Sequence, residues 1–468
     1  MSNRGLRDAH GWKQLAVDTG EGWYTLRTED TGDVPVRLFL TPQLLDDVED
    51  GIYPQIVTAT RFPGVRMVVI TPDVHHGYGV PVGCAILTGA DGGALALGPV
   101  GFDIGCGMAS LRSEVPAEAA TPERRLAFNR AVMSRVDMGV GGHGVSRLSR
   151  LDRGEFERIV RGGADHYQAR YGQRIDRSAA ERHRIPVDDE WQIPWGGKGR
   201  PERGVAQLGS LGGGNHFVEL QRSEQTGTLF VQVHTGSRGF GHGLADNYFQ
   251  VAKRELGEAV RSVDEAYFTA DSRHYDDYRN AVAAGGNFAI VNRLILAEEI
   301  AAVFAEVFGG ELHLLYEISH NLVQREWHPD FGEVNVHRKG ATRAFPAGHP
   351  GLQGTPWMDT GHPVLIPGSN RDHSYILRPR DSAKSGYTVN HGAGRRMSRG
   401  EARRTLQQQE VDADYRRAGI VVNADGHVPI DEAGPAYKPS REVIEAITRA
   451  GLAEVEHELW PLASLKGV

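Results

Sequence analysis

The chain has 468 residues, of which 40% are apolar and 24% charged, and its formal net charge is −8. This length and composition fit a globular protein with a large core and exclude a low-complexity chain. The acidic balance excludes a global positive field, so any polyanion would have to be held by local arginine clusters.

The cysteine count and the hydropathy of the chain predict a protein that lies in a reducing compartment and does not span a membrane. Only two cysteines occur, Cys84 and Cys106, so no disulfide framework is expected. The first twenty residues carry no apolar signal segment, and no stretch approaches the length of a membrane span. We therefore predict a cytoplasmic protein with no membrane partner, in which Cys106 stays reduced and available to a metal.

Short apolar runs separated by glycine-rich loops predict a mixed α/β (α+β) fold with central β-sheets. The strands are predicted in the apolar runs 65–70, 82–87, 228–233 and 312–318, and at the end of the glycine-rich stretch 208–219. A capping threonine followed by proline predicts a helix from Thr121 to about Val136.

The second half of the chain carries longer helical patterns. Residues 244–262 and 287–308 predict two helices, which we interpret as a helical hairpin within 244–308. Residues 172–205 are polar and punctuated by Pro and Gly, which predicts a surface excursion. Because no repeat or convincing linker occurs, we treat residues 1–468 as one large domain.

The stretch 101–108 (GFDIGCGM) places a carboxylate, Asp103, and a thiol, Cys106, three residues apart between glycines. Glycine allows tight bending and close approach of other groups. Both side chains are good cation ligands, and the thiolate favours softer metals. The alternative is that Cys106 is a small buried apolar residue and Asp103 caps a turn.

Four histidines lie in turns rich in Gly, Ser and Asn, namely His216, His234, His320 and His391. His234 and His320 follow the C-terminal ends of predicted strands, where α/β proteins place their sites. Three of these histidines with Asp103 and Cys106 could form an open site for one or two divalent ions. Mixed oxygen, nitrogen and sulfur donors suit Mn, Zn or Fe better than Mg or Ca. The alternative is that each histidine is an ordinary core or surface residue.

The segment from His391 to Arg395 (HGAGR) is a glycine-rich turn just before a predicted helix. Such a turn offers backbone N–H groups to a phosphate, and nearby arginines add charged donors. A histidine beside this cradle could be a nucleophile towards phosphorus or a general acid, or it could merely bond to the turn. A Ser398/Glu401 capping box predicts that the helix covers 400–417. The basic stretches 236–239 and 337–343 suit phosphate contacts.

Taken together, these segments resemble the RtcB family of GTP-dependent tRNA-splicing and RNA-repair ligases. The matching pieces occur in the family's order: PDVHHGYGVPVG (72–83), DIGCGM (103–108), LGSLGGGNHFVE (208–219), HTGSRGFG (234–241), SHN (319–321), HRKGATRAF (337–345), PGS (367–369), SYIL (374–377) and HGAGRRMSR (391–399). The resemblance implies an RNA ligase that joins 3′-phosphate or 2′,3′-cyclic phosphate ends to 5′-hydroxyl ends. The RNA would be tRNA halves or another cleaved RNA, and an archease-like activator is a further implied partner.

The resemblance also implies a ligand set and a nucleophile. One Mn²⁺ would be held by Asp103, Cys106 and His216, and the other by Cys106, His234 and His320. His391 would become guanylylated by GTP. The guanylate pocket is implied to consist of Asn215, His216, Phe217, Val218, Glu219, His320, Asn321, Pro367, Gly368, Ser369, Asn370, Ser374, His391, Gly392, Ala393, Gly394, Tyr437 and Lys466.

One departure from the family pattern concerns the loop after Pro367. The family usually continues Met-Gly after Pro-Gly-Ser, whereas this chain has Asn370 and Arg371. Arginine in place of glycine predicts strain if the position needs a left-handed backbone. Two other functions stay open from the residues: a binuclear-metal phosphohydrolase or nucleotidyltransferase that does not seal RNA, and a non-catalytic RNA-binding relative.

Overall fold

The structure is a computed structural model that describes residues 5–145, 148, 151–178, 184–260 and 262–467. These residues form nine α-helices and nineteen β-strands, arranged in two large and two small sheets. The predicted mixed α/β class is therefore confirmed. Within the same residues, no helix is long and apolar enough to cross a membrane.

The strands range in length from 2 to 14 residues. They are β1 (Ala16–Asp18), β2 (Tyr24–Leu26), β3 (Val36–Leu38), β4 (Val65–His75), β5 (Val82–Gly89), β6 (Leu95–Ala96), β7 (Gly107–Pro116), β8 (Phe217–Ser223), β9 (Thr228–Thr235), β10 (Tyr267–Phe268), β11 (His313–Ser319), β12 (Asn321–His328), β13 (Gly332–Lys339), β14 (Ala341–Arg343), β15 (Val364–Ile366), β16 (Ser374–Pro379), β17 (Thr388–Asn390), β18 (Val421–Val422) and β19 (Ala453–Lys466).

The helices are α1 (Pro42–Asp47), α2 (Ile52–Ala59), α3 (Pro122–Arg135), α4 (Arg153–Tyr171), α5 (Arg238–Leu256), α6 (Tyr275–Phe308), α7 (Arg399–Thr405), α8 (Gln408–Arg417) and α9 (Ser440–Arg449). The predicted start of α3 is confirmed, because the Thr121 side chain accepts a hydrogen bond from Arg124 N. The helix then ends at Arg135, as the sequence predicts.

The two large sheets are mostly antiparallel. One has the strand order β1-β2-β3-β4-β5-β13-β12, and the other has the order β11-β7-β9-β8-β19-β16-β15 with β18 beside β19. The described strands pair in parallel only at β3–β4 and β18–β19. The largest core packs α3 to α6 against the second sheet, so that sheet is buried and its strand ends have fixed positions.

Three predicted strands extend at least two residues beyond their predicted C-terminal ends: β4, β5, which ends at Gly89, and β9. β4 continues through a bulge to His75, which pairs with Val82, so it is five residues longer than the predicted strand 65–70. β9 includes His234 and Thr235, whereas the sequence predicted that it ends before His234.

The helical pair differs from its predicted boundaries. The first helix is α5, which begins at Arg238, and the second is α6, which begins at Tyr275. α5 and α6 pack against each other, and residues 257–274 connect them through the short strand β10. Because α6 is buried on nearly every face before residue 287, the sequence there lacks the periodic alternation of apolar and polar residues that predicts a helix.

The excursion at 172–205 is only partly a surface segment. Residues 179–183 lie outside the described residues, and the rest contain no helix or strand before a 3₁₀ turn at Pro201. However, the side chains of Val187, Trp191 and Ile193 are buried in the largest core. A few large apolar side chains therefore anchor this polar segment to the protein.

The helix predicted over 400–417 is wrong as one element. It is two helices, α7 and α8, because Leu406 adopts an extended backbone between them. The Leu406 side chain packs against a small core that contains Val411 and Tyr415. The predicted cap is present, since the Ser398 hydroxyl accepts a hydrogen bond from Glu401 N.

Candidate active site

Four neighbouring strands of the second sheet have termini that lie together at one end of the sheet. β7 begins at Gly107, which pairs with Thr235 at the end of β9 and with Ser319 at the end of β11. β8 begins at Phe217, which pairs with His234. This register brings together side chains that are spread over more than two hundred residues of the sequence: Cys106, His216, His234 and His320.

The donor atoms of the predicted metal ligands lie within contact distance. The Cys106 Sγ atom is 3.5 Å from His216 Nε2 and 3.3 Å from His234 Nε2. His234 Nε2 is 3.2 Å from His320 Nε2, and His216 Nε2 is 3.0 Å from Asp103 Oδ2. Two sets result, Asp103/Cys106/His216 and Cys106/His234/His320, each with its donor atoms within 4.8 Å of one another. Cys106 belongs to both sets.

The hydrogen bonds around these rings favour a cation between them. His216 Nδ1 donates to Leu211 O and His234 Nδ1 donates to Asn215 O, each at 3.0 Å. Both rings therefore turn Nε2 towards the Cys106 thiol. Burial and nearby histidines hold the pKa of His234 and of His320 well below its usual value, which keeps both rings neutral. Lone pairs that converge without a proton between them suit a metal ion.

The Cys106 thiol also fits a cation. Burial, followed by the charge of Asp103, raises the pKa of Cys106 well above its usual value. A thiolate at this position therefore needs a positive ion beside it, and a divalent cation deprotonates a coordinating thiol. Asp103 is held in place by Ser237 N, which donates to Asp103 Oδ1 at 3.0 Å.

A buried arginine on α6 ties the strand ends to one another. The Arg293 guanidinium is fully buried and donates to Gly105 O at 2.7 Å and to Thr235 O at 2.9 Å. It also donates to the Ser319 hydroxyl at 2.7 Å and is paired with Glu317. Since these residues flank the metal ligands on three segments, Arg293 positions all three at once.

The pairing of β14 with β17 places His391 at the same end of the second sheet. Asn390, the last residue of β17, pairs with Ala341, and Ala341 N donates to His320 O. The His391 ring lies across the His320 ring with centroids 4.8 Å apart. Gly340 permits this approach: its φ is +56°, and a Cβ there would lie 2.9 Å from His391 Cε1.

The His391 ring is oriented by a carboxylate that the sequence did not single out. Asp73, which is fully buried at the bulge of β4, lies with its Oδ2 atom 2.6 Å from His391 Nδ1. Burial alone would raise the pKa of Asp73, but the charge of His391 and its hydrogen bonds lower it below the usual value. An ionised Asp73 accepts the Nδ1 proton, so His391 Nε2 is left as the reactive nitrogen.

A cavity of about 470 Å³ opens over the cluster and His391. Of the residues predicted for the nucleotide pocket, those that line this cavity are Asn215, Phe217, Glu219, His320, Asn321, Pro367, Gly368, Ser369, Asn370, His391, Gly392, Ala393, Gly394, Tyr437 and Lys466. Three do not line it. His216 lies in the metal set, Val218 is buried in the core, and Ser374 supports the loop by accepting a hydrogen bond from Gly368 N.

The predicted basic groups divide into two kinds. Arg395 and Arg399 line the cavity, and both are paired with the buried Glu432. In contrast, Arg338 is buried and bound to Glu326, and Arg343 donates to the Tyr316 hydroxyl from a buried position. The hypothesis that the stretch 337–343 contacts phosphates is therefore wrong for these two arginines.

The strain predicted at Arg371 is absent. Among the described residues, the non-glycine positions with positive φ are Arg200, Arg238, Tyr387 and Asn423. The Arg371 backbone therefore needs no glycine, and its side chain is paired with Asp414 on α8 at 2.7 Å. Beside it, the Asn370 side chain is bonded to Tyr415.

Comparisons with known proteins identify the family of this chain. The family model described as tRNA-splicing ligase RtcB matches residues 55–467. An RNA-splicing ligase RtcB from Mycobacterium tuberculosis is 36% identical over 442 residues, which cover 88% of this chain and all of the relative. A tRNA-splicing ligase RtcB from Pyrobaculum aerophilum is 34% identical over 467 residues, covering 93% of this chain and 95% of the relative. The chain belongs to the RtcB family of tRNA-splicing ligases.

Proposed function

We propose that this chain is an RNA ligase that joins RNA 3′-phosphate or 2′,3′-cyclic phosphate ends to 5′-hydroxyl ends. The reaction consumes GTP, depends on Mn²⁺ and passes through a guanylylated histidine, and it serves tRNA splicing or RNA repair. The observation that carries the proposal is the oriented imidazole of His391 beside two overlapping donor sets in one cavity. We place the reaction in the cytoplasm, where Cys106 stays reduced.

His391 acts as the nucleophile in the first step. Its Nδ1 proton is held by Asp73, so the lone pair of Nε2 attacks the α-phosphorus of GTP. A nitrogen–phosphorus bond forms, the bond to the β-phosphate oxygen breaks, and pyrophosphate leaves. The Asp73 carboxylate stabilises the positive charge that the ring acquires during the attack, as in other His–Asp pairs.

The donor sets would hold the cations. Asp103, Cys106 and His216 would bind one Mn²⁺, and Cys106, His234 and His320 the other, since Cys106 belongs to both sets. When bound, such ions neutralise phosphate charge and favour in-line geometry at phosphorus.

The remaining steps release the histidine and seal the RNA. An oxygen of the RNA 3′-phosphate attacks the guanylate phosphorus, and the bond to His391 breaks. The 5′-hydroxyl oxygen then attacks the 3′-phosphorus, a phosphodiester forms, and GMP leaves. A 2′,3′-cyclic phosphate is first opened by water to a 3′-phosphate in the same site.

A binuclear-metal phosphohydrolase or nucleotidyltransferase is the second candidate, because the donor sets alone would suit either. The Asp73–His391 pair favours the ligase, since a hydrolase that uses a metal-activated water needs no oriented histidine nucleophile.

The test is a sealing assay with labelled RNA oligonucleotides. We expect a joined product only when a 3′-phosphate or cyclic phosphate end, a 5′-hydroxyl end, GTP and Mn²⁺ are all present. An otherwise identical 3′-hydroxyl oligonucleotide and the variant His391→Ala are the matched controls, and neither should give product. An archease-like activator is a further proposed partner, and its addition should raise turnover. Release of inorganic phosphate from the 3′ end without joining would favour the hydrolase.

A further inference from the structure

Lys438 is a half-buried lysine that the steps proposed above do not use. Its Nζ atom donates to Pro72 O at 3.1 Å and to Val74 O at 2.7 Å. These two carbonyls stand on either side of Asp73, so one ammonium group binds the backbone before and after that residue. Burial lowers the pKa of Lys438 to about 8 from 10.5, and the charge of Asp73 opposes this shift. The charged form therefore predominates near neutral pH, and charged donors make the stronger hydrogen bonds.

The backbone of Lys438 holds the turn that follows His391. Lys438 N donates to Gly394 O at 2.9 Å. Gly394 in turn packs directly on β4, since a Cβ at this position would lie 2.2 Å from Asp73 O. Lys438 therefore binds both the segment that carries Asp73 and the glycine-rich turn that begins at His391.

The segment around Asp73 needs this support because the sheet ladder is interrupted there. β4 pairs with β5 up to Ile70 and again at His75, and its pairing with β3 also ends at Ile70. Within the strands that the structure describes, residues 71–74 therefore have no ladder partner on either side. The hydrogen bonds from Lys438 take the place of the missing ladder bonds at the two carbonyls that flank Asp73.

We propose that Lys438 is a positioning residue for the Asp73–His391 pair, which holds Asp73 Oδ2 against His391 Nδ1 by binding both segments at once. The inference rests on the proposed function in taking His391 as the nucleophile. Lys438 does not line the cavity over the donor sets, and it lines a second cavity of about 390 Å³ instead. Its effect on the reaction therefore passes through Asp73 and not through a contact with GTP or RNA.

The first measurement is the NMR resonance of the His391 Nδ1 proton, which a short hydrogen bond to a carboxylate moves far downfield. His391→Ala identifies the resonance by removing it. Lys438→Met keeps the aliphatic stem but has no donor, and the resonance should move upfield or disappear. Lys253→Met is the matched control, because Lys253 Nζ also donates to two carbonyls, Gly257 O and Val260 O, and does not line the cavity. It should leave the resonance in place.

The second measurement is single-turnover guanylylation. Lys438→Met should be about 10- to 100-fold slower at saturating GTP, because the reacting group is misplaced. The half-saturating GTP concentration should stay within about threefold of the wild-type value. Lys438→Arg restores a charged donor, and the second cavity has room for the larger head group, so its rate should lie within about tenfold of wild type.

A double variant tests whether Lys438 acts through Asp73. Asp73→Asn/Lys438→Met should be no more than about threefold slower than Asp73→Asn alone, since both changes disturb the same pair. A merely structural role for Lys438 would instead multiply the two losses.

The outcomes separate the inference from the proposed function. An unchanged His391 resonance in folded Lys438→Met, equally low rates for Lys438→Met and Lys438→Arg, or multiplied losses in the double variant would each overturn the inference. Lys438→Gln, which keeps only a shorter neutral donor, provides the same measurements if Lys438→Met does not fold. A wild-type protein whose His391 resonance depends on Lys438 but that forms no guanylate would support the inference and contradict the proposed function.

Discussion

The Asp73 carboxylate lies with Oδ2 2.6 Å from Nδ1 of His391, although 318 residues separate the two in the sequence. The same oxygen accepts the backbone N–H groups of His391 and Gly392 at 3.0 and 3.2 Å. One carboxylate therefore fixes both the position of the glycine-rich turn and the tautomer of the ring. The chemistry proposed for His391 depends on this pair.

Asp73→Asn is expected to slow guanylylation by about 10²–10⁴-fold, because an amide no longer selects the tautomer with a bare Nε2 or stabilises the charged ring. The measurement is single-turnover incorporation of label from α-labelled GTP. Metal content should stay at the wild-type level, since Asp73 belongs to neither donor set. A guanylylation rate within about threefold of the wild-type rate would show that Asp73 does not orient His391 for the reaction.

Cys106→Ala is expected to abolish binding of both ions, because Cys106 is the donor common to the two sets. Elemental analysis of the purified protein measures this directly. Cys84→Ala is the matched control, since Cys84 is buried in a different core cluster. Equal metal content in the two variants would contradict the bridging role.

Arg293→Met should lower the free energy of unfolding by about 3–5 kcal/mol, because it leaves Glu317 buried without its charged partner. It should also lower metal content, since the carbonyls beside the ligands lose their common donor. Arg338→Met breaks another buried pair, with Glu326, away from the donor sets. Denaturant unfolding should show a similar loss for both variants, and metal content should fall only for Arg293→Met. Equal metal content would show that Arg293 has no positioning role.

Glu219→Gln should stabilise the protein at alkaline pH. Burial raises the pKa of Glu219 to about 7 from 4.5, despite the hydrogen bond from Gln221 and the charge of Lys466. A raised acid pKa favours the folded state at low pH, and that contribution is lost as pH rises from 4.5 through about 7. Above this pH window the buried, ionised carboxylate lowers the free energy of unfolding by about 3 kcal/mol. A glutamine at this position carries no charge and avoids this loss.

The measurement for Glu219→Gln is the free energy of unfolding as a function of pH. The variant should be more stable than wild type above about pH 7, and the difference should vanish near pH 4.5. A difference that does not depend on pH would contradict the raised pKa of Glu219.

The sequence was sufficient for the fold class and for the ligand candidates, because these depend on apolar runs and on local motifs. Asp73 lies inside a matching motif, but its role depends on the pairing of β14 with β17, which no local pattern reports. The role of Arg293 could not be predicted, because helical periodicity does not show that two carbonyl groups and a hydroxyl group from other segments lie around its guanidinium. The break at Leu406 depends on a tertiary apolar contact, and no glycine or proline marks it.

The most direct test of the central claim is incubation of the protein with Mn²⁺ and each α-labelled nucleoside triphosphate in turn. Denaturing gels and acid or alkali treatment then follow the label. We expect a guanylate on the protein that is labile in acid and stable in alkali, as a histidine phosphoramidate is. The His391→Ala variant should not form it. A protein that contains bound Mn²⁺ and forms no adduct with any nucleotide would contradict this expectation.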